Sequence, residues 1–128
     1  MTAPLVHIFS AAVQDGKLES YKEYAKEHAA FTEAKAPDLL AFHLYLSEDG
    51  RRVFAVQLHP DANHMDFFMK EVVAEHGLRA YEHLEHGSER SDAFGPLNLA
   101  TADAIRQYGV ELTHHPYHLG GFTRLQAS

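Results

Sequence analysis

From Leu5 to Val13 the chain is rich in β-branched and aromatic residues and then meets Asp15-Gly16, a turn pair, which predicts a strand. The period then changes. Between Lys17 and Ala36, residues Leu18, Tyr21, Ala25, His28 and Thr32 recur every three or four positions, Tyr24 and Phe31 lie beside them, and Lys and Glu fill the other face. That spacing predicts an amphipathic helix, ended by Pro37, which disfavours helical geometry at Ala36. Two alternating stretches follow, Leu39 to Ser47 and Arg51 to His59, joined by Glu48-Asp49-Gly50, whose glycine accepts the positive φ of a tight hairpin. Neither strand has a clean polar face, because Ala41, Tyr45, Val53 and Ala55 stand where an open sheet would carry charges. A sheet covered on both sides is expected.

After Pro60-Asp61, the stripe Met65, Phe68, Met69, Val72, Val73 and His76 predicts a second helix, and Leu78, Tyr81 and Leu84 resume the spacing beyond Gly77 as a kink or short separate helix. Glu89 to Phe94 reads as a fourth strand, Leu97 to Tyr108 as a third helix and Val110 to His115 as a last strand, with loop around Gly120-Gly121. The order β-α-β-β-α-β with an appended α-β unit is the ferredoxin-like, α+β arrangement. Both early helices pack on one sheet face, so a second copy of the chain is expected on the other, making a homodimer.

With 128 residues, the chain is expected to be one domain, and 45% hydrophobic content gives it material for a core. Eleven Lys and Arg against 18 Asp and Glu leave a formal charge of −7, which argues against nucleic acid and anionic membrane as partners. The absence of cysteine excludes disulfides, thiolate catalysis and thiolate zinc sites. The N-terminus lacks a basic leader and no stretch reaches the roughly 18 apolar residues of a membrane span, so a cytoplasmic location is expected. Phosphate-cradling glycine loops and a serine-nucleophile elbow have no match. The eleven histidines stand out, because they are the side chains that change charge near neutral pH.

The element order, the hairpin at Asp49-Gly50 and the passage Val53-Phe54-Ala55-Val56-Gln57-Leu58-His59-Pro60-Asp61 leading into Ala62-Asn63-His64-Met65-Asp66-Phe67-Phe68 resemble the antibiotic-biosynthesis-monooxygenase-like group of dimeric α+β barrels over roughly residues 4–95. Residues 96–128 form an extension to that core. The family's frequent tryptophan is absent, and its second-helix histidine is replaced near Phe68. The resemblance implies an apolar cavity between the sheet and the helices of each subunit, and a cofactor-independent monooxygenase acting with dioxygen on a small aromatic or quinol-like molecule. A non-catalytic binding protein and a haem-degrading relative are the alternatives.

Oxygenation without a cofactor needs a base that forms the electron-rich anion, dry walls and a planar slot. On this reading His28 or His43 is the catalytic base, Tyr24 and Tyr45 orient the substrate, Phe31 and Phe68 wall the slot, and His59 and His64 flank its mouth. Asp61 is placed to cap the second helix. No metal is expected. His76, His83 and His86 could share a helix face, and one of His114 and His115 could join His118, but neither set matches a known ligand spacing.

Overall fold

The computed structural model describes residues 4–124; the termini of the expected 1–128 domain, including 125–128 of the extension, lie outside the described residues. The chain runs β1 (Leu5–Ala12), α1 (Leu18–Lys35), β2 (Ala41–Leu46), β3 (Arg52–His59), α2 (Ala62–Phe68), a π-helical turn (Met69–Val73), a 3-10 helix (Gly77–Glu82), β4 (Arg90–Phe94), α3 (Leu99–Gln107) and β5 (Glu111–His115). The strands form one sheet in the order β2-β3-β1-β4-β5. The first four strands pair antiparallel, and β5 pairs parallel to β4. This is the ferredoxin-like arrangement with one edge strand added through α3.

Local chemistry accounts for the boundaries. In the hairpin, Gly50 takes φ +73°, and Asp49 Oδ1 accepts bonds from Ser47 Oγ at 2.7 Å and Arg51 N at 3.0 Å. Asp61 is the N-cap of α2, as its position in the sequence predicts: its Oδ1 accepts from His64 N at 2.9 Å and from His64 Nδ1 at 2.7 Å. Asp61→Ala is expected to cost about 1 kcal/mol, the usual value of such a cap, read as a lower urea midpoint. An unchanged midpoint would show that the cap carries no net stability. Past Phe68 the helix loosens into the π turn, breaks at His76 and resumes as the 3-10 segment, in which no residue is buried. That break is the expected interruption at Gly77, and it sits where helix meets cavity, a frequent place for π turns.

Register decides which residues face the helices. Across β1 and β3 the inward pairs are Leu5 with His59, His7 with Gln57, Phe9 with Ala55 and Ala11 with Val53. Phe42 and Leu44 extend these rows on β2, and Ser91 and Ala93 extend them on β4. Two apolar clusters fill the inner layer, one around Leu5, Met65, Phe68 and Val72, the other around Ala11, Tyr21, Tyr24 and Leu84. The outer face carries the rows Phe94-Val6-Leu58-Ala41, Asp92-Ile8-Val56-His43 and Arg90-Ser10-Phe54-Tyr45. Its centre is mostly apolar, and Asp92 and Arg90 on β4 put charges at one margin. Phe94 and Tyr45 stand 39% and 57% exposed on it.

Residues 116–124 have no helix or strand, and Tyr117, Leu119 and Phe122 on this arm are exposed. They line neither cavity described below. Among the described residues no helix is long and apolar enough to cross a membrane.

Candidate functional site

Between the sheet and the helices lies a cavity of about 90 Å³. Its floor is His7, Phe9, Ala55, Gln57 and Ser91 on the strands; its walls include Tyr21, Tyr24 and His28 of α1, Phe68 and Met69, and Leu78 and Tyr81 of the 3-10 helix. No Asp, Glu, Lys or Arg is among the residues that line it. Such a space favours an uncharged, largely apolar ligand.

His28 occupies one wall as half of a histidine pair. Its Nδ1 lies 2.8 Å from Nδ1 of His76, and the two rings lie edge to edge in parallel planes, centroids 5.0 Å apart, with Tyr24 parallel to both. Phe31 stacks on His76 at 4.8 Å. A contact between two Nδ1 atoms needs one proton, donated by one ring and accepted by the other, so it suits a neutral pair. Burial depresses the His28 pKa to about 4, assisted by the nearby His76 and Arg79 charges; burial and then Arg79 lower His76 as well. Nε2 of His28 has no protein partner among the described residues. The Tyr24 hydroxyl donates to the carbonyls of His76 at 3.1 Å and Gly77 at 3.2 Å, and burial raises its pKa. Tyr24 therefore offers the cavity a ring face and a fixed wall, with its hydroxyl already committed.

The floor is polar in an otherwise apolar layer. His7 Nδ1 lies 3.0 Å from Gln57 Oε1 and His7 Nε2 lies 2.9 Å from Ser91 Oγ. His59 Nε2 reaches the same Gln57 oxygen at 3.0 Å. Burial lowers the His7 pKa and, with the His7 and His64 charges, takes His59 down to about 3. The Ser91, His7 and Gln57 spacing is that of a nucleophile, base and orienting group. However, Ser91 lies on a strand paired on both sides, so the backbone N–H groups beside it serve the sheet ladder and cannot form an oxyanion hole.

A second cavity, about 390 Å³, opens where the end of α1 meets the start of α2, lined by Ala36, Pro37, Asp38, Leu39, His59, Asn63, His64, Phe67 and Phe68. His64 is held between Asp61 at 2.7 Å and Asp38 at 3.5 Å, and the Asp61 bond raises its pKa. Of the expected site residues, the structure brings Tyr24, His28 and Phe68 to the first cavity, with Phe31 behind them. It puts His59 and His64 at the second, which Phe68 also borders. Placing His43 and Tyr45 beside His28 needs correction. They are opposite Val56 and Phe54 on the outer face, because alternation on β2 turns Phe42 and Leu44 inward and both sets of side chains are apolar enough to face either way.

His7 and Ser91 carry no recognised motif in the sequence, and Gln57 stands there only as a position of family resemblance. The available signal was a polar side chain recurring at inward parity within apolar strands. The helix face proposed for His76, His83 and His86 does not form: the 3-10 helix ends at Glu82, His83 turns to Ser20 Oγ at 2.9 Å and His86 stacks on Tyr81. Among the described residues no group of three His, Asp or Glu could hold a metal ion.

No family model matches the chain, and no curated protein does. Solved structures do. MupZ from Pseudomonas fluorescens superposes with TM-score 0.71 at 15% identity, covering 94% of each chain, so its match extends over α3 and β5. The fold is the one these structures share. A candidate antibiotic biosynthesis monooxygenase from Caulobacter crescentus CB15 has TM-score 0.65 at 13% identity over 76% of this chain and 92% of its own. SnoaB, a cofactor-independent oxygenase from Streptomyces nogalater, has TM-score 0.60 at 13% identity over 74% and 94%. The expected resemblance in fold to the antibiotic-biosynthesis-monooxygenase group is thus shown.

Proposed function

We propose that the protein is a cofactor-independent monooxygenase that takes a small, uncharged aromatic or quinol-like molecule into the inner cavity, with His28 as the base. The observation that carries this is His28, bonded to His76 at 2.8 Å, in the wall of a cavity lined by no Asp, Glu, Lys or Arg. Nε2 of His28 accepts the phenolic proton and the ring becomes an electron-rich anion. Dioxygen then takes electrons from that anion; one oxygen atom enters the ring and the other leaves as water. Dry walls keep the anion from bulk protons. The fold shared with SnoaB, itself a cofactor-independent oxygenase, supports the reading. The cavity is small, about 90 Å³, and the 3-10 segment that walls it has no buried residue.

Oxygen uptake over a panel of hydroquinones tests it. Saturable consumption with a hydroxylated quinone product is expected. Saturable binding of those compounds without oxygen uptake would overturn the oxygenase reading and leave a small-molecule binding protein.

We also propose that the functional unit is a homodimer joined through the outer sheet faces. Cross-strand rows of Val6, Ile8, Val56, Leu58 and Phe54 make a contiguous apolar surface of the kind that marks an interface, and the exposed arm at 116–124 would find cover on the second copy. Val56→Arg puts a charge at the centre of the patch and is expected to give a monomer in sedimentation velocity. A native chain sedimenting as a monomer would remove the proposal.

A further inference from the structure

Three residues of the sheet floor, His7, Gln57 and His59, are each no more than 4% exposed, in a layer where an apolar side chain would fill the space at no polar cost. Burying polar groups is unfavourable unless each finds a partner, so their arrangement needs a reason. Gln57 Oε1 takes both imidazoles, accepting from His7 Nδ1 and from His59 Nε2 at 3.0 Å each. His7 then accepts from the Ser91 hydroxyl at its other nitrogen, at 2.9 Å. With its oxygen held from two sides, the amide plane is fixed. Its nitrogen has no protein partner among the described residues, yet it is not among the buried atoms sealed without one, and Gln57 lines the inner cavity. Its N–H groups therefore face that space.

We propose that Gln57 is the oxyanion donor of the cavity. Its side-chain N–H groups bind the ligand oxygen on which negative charge develops, and His7 and His59 are positioning residues that aim it. The proposal rests on the reading that His28 forms an anion there, and it names the substrate class more closely. The ligand is an uncharged acid whose conjugate base places its charge on oxygen, a phenol or an enolisable carbonyl compound. In the step itself, His28 takes the proton from an O–H or C–H bond, the electron pair delocalises onto oxygen, and the amide hydrogen-bonds that oxygen. No oxidant takes part up to this point. Donors fixed before the charge appears need no reorganisation when it does.

The test uses 4-nitrophenol, whose phenolate is coloured, bound to the full chain and titrated by absorbance. In the native protein the bound molecule is expected to ionise about one pH unit lower than in Gln57→Leu, a tenfold preference for phenolate of the size a charge-assisted hydrogen bond supplies. Gln57→Glu keeps an acceptor for both imidazoles, which guards the fold, and is expected to favour the phenol over the phenolate. His7→Leu should move the midpoint towards that of Gln57→Leu with an unchanged circular dichroism spectrum. Equal midpoints in the native protein and both Gln57 variants, or no saturable binding to the native protein, would overturn the proposal. The titration needs no turnover, so phenolate preference without oxygen uptake retires the oxygenase and keeps the donor. Full oxygen uptake in Gln57→Leu does the reverse.

Discussion

His28→Phe is expected to lower hydroquinone-dependent oxygen uptake by roughly 10²–10⁴-fold, the span that a positioned general base contributes. Phenylalanine keeps a flat ring beside Tyr24 and His76 but removes both imidazole nitrogens, including the Nδ1 bonded to His76 at 2.8 Å, so an unchanged circular dichroism spectrum is the control for the fold. The pH profile carries the sharper signature. An exposed histidine loses its basic form on acidification through about 6.5, whereas His28 holds its neutral form down to about 4 because burial disfavours the imidazolium. Turnover is therefore expected to stay flat across pH 6.5, where an exposed base would show an inflection. His43→Ala, on the outer sheet face, is expected to leave the rate within about twofold, the scale of surface substitutions. Equal losses in the two variants would move the base to the outer face and sink the assignment to His28.

Why the sequence led to His43 as readily as to His28 follows from the sheet. Helical periodicity in α1 selects one face, and Tyr21, Tyr24, His28 and Thr32 are buried on it, so the helical half of the site was legible. Strand parity is legible only when one face is polar. On β2 and β3 both faces are apolar: Phe42 and Leu44 go in while Tyr45, Phe54 and Val56 go out. The pattern that predicted a sheet covered on both sides therefore also concealed which side was which. Gln57 and His7 face each other across β1 and β3, a pairing that only the register of two strands 50 residues apart reveals. The element order itself was readable, since it rests on Gly50, Pro37 and Asp61 punctuating clear changes of period. The last α-β unit also stood where expected, with β5 added at the sheet edge.

The buried histidines set the acid stability of the whole molecule. His7, His28, His59 and His76 are all held below their ordinary pKa, first of all by burial. In the unfolded chain each takes a proton near pH 6.5, while in the native state His28 resists to about 4 and His59 to about 3. Between those limits the unfolded state binds more protons, so stability is complete above pH 6.5 and falls as the pH drops. His28 and His59 together give a slope of roughly 3 kcal/mol per pH unit, His7 and His76 add to it in the same sense, and a domain of this size has about 5–15 kcal/mol in total. Cooperative unfolding is therefore expected between about pH 5 and 4. His64 acts in the opposite sense, because Asp61 raises its pKa and the pair is strongest below pH 6.5, but its side chain is 37% exposed and solvent screens the gain. The lowered pKa of Asp61 matters only at more acid pH. Urea midpoints followed by circular dichroism from pH 8 to 4.5 measure the slope. His28→Phe, with one of these groups removed, should flatten it by roughly 1.4 kcal/mol per pH unit. Midpoints that do not change between pH 7 and 5 would mean that these imidazoles are already solvated, and the dry cavity on which the base and the amide donor both depend would not exist in solution.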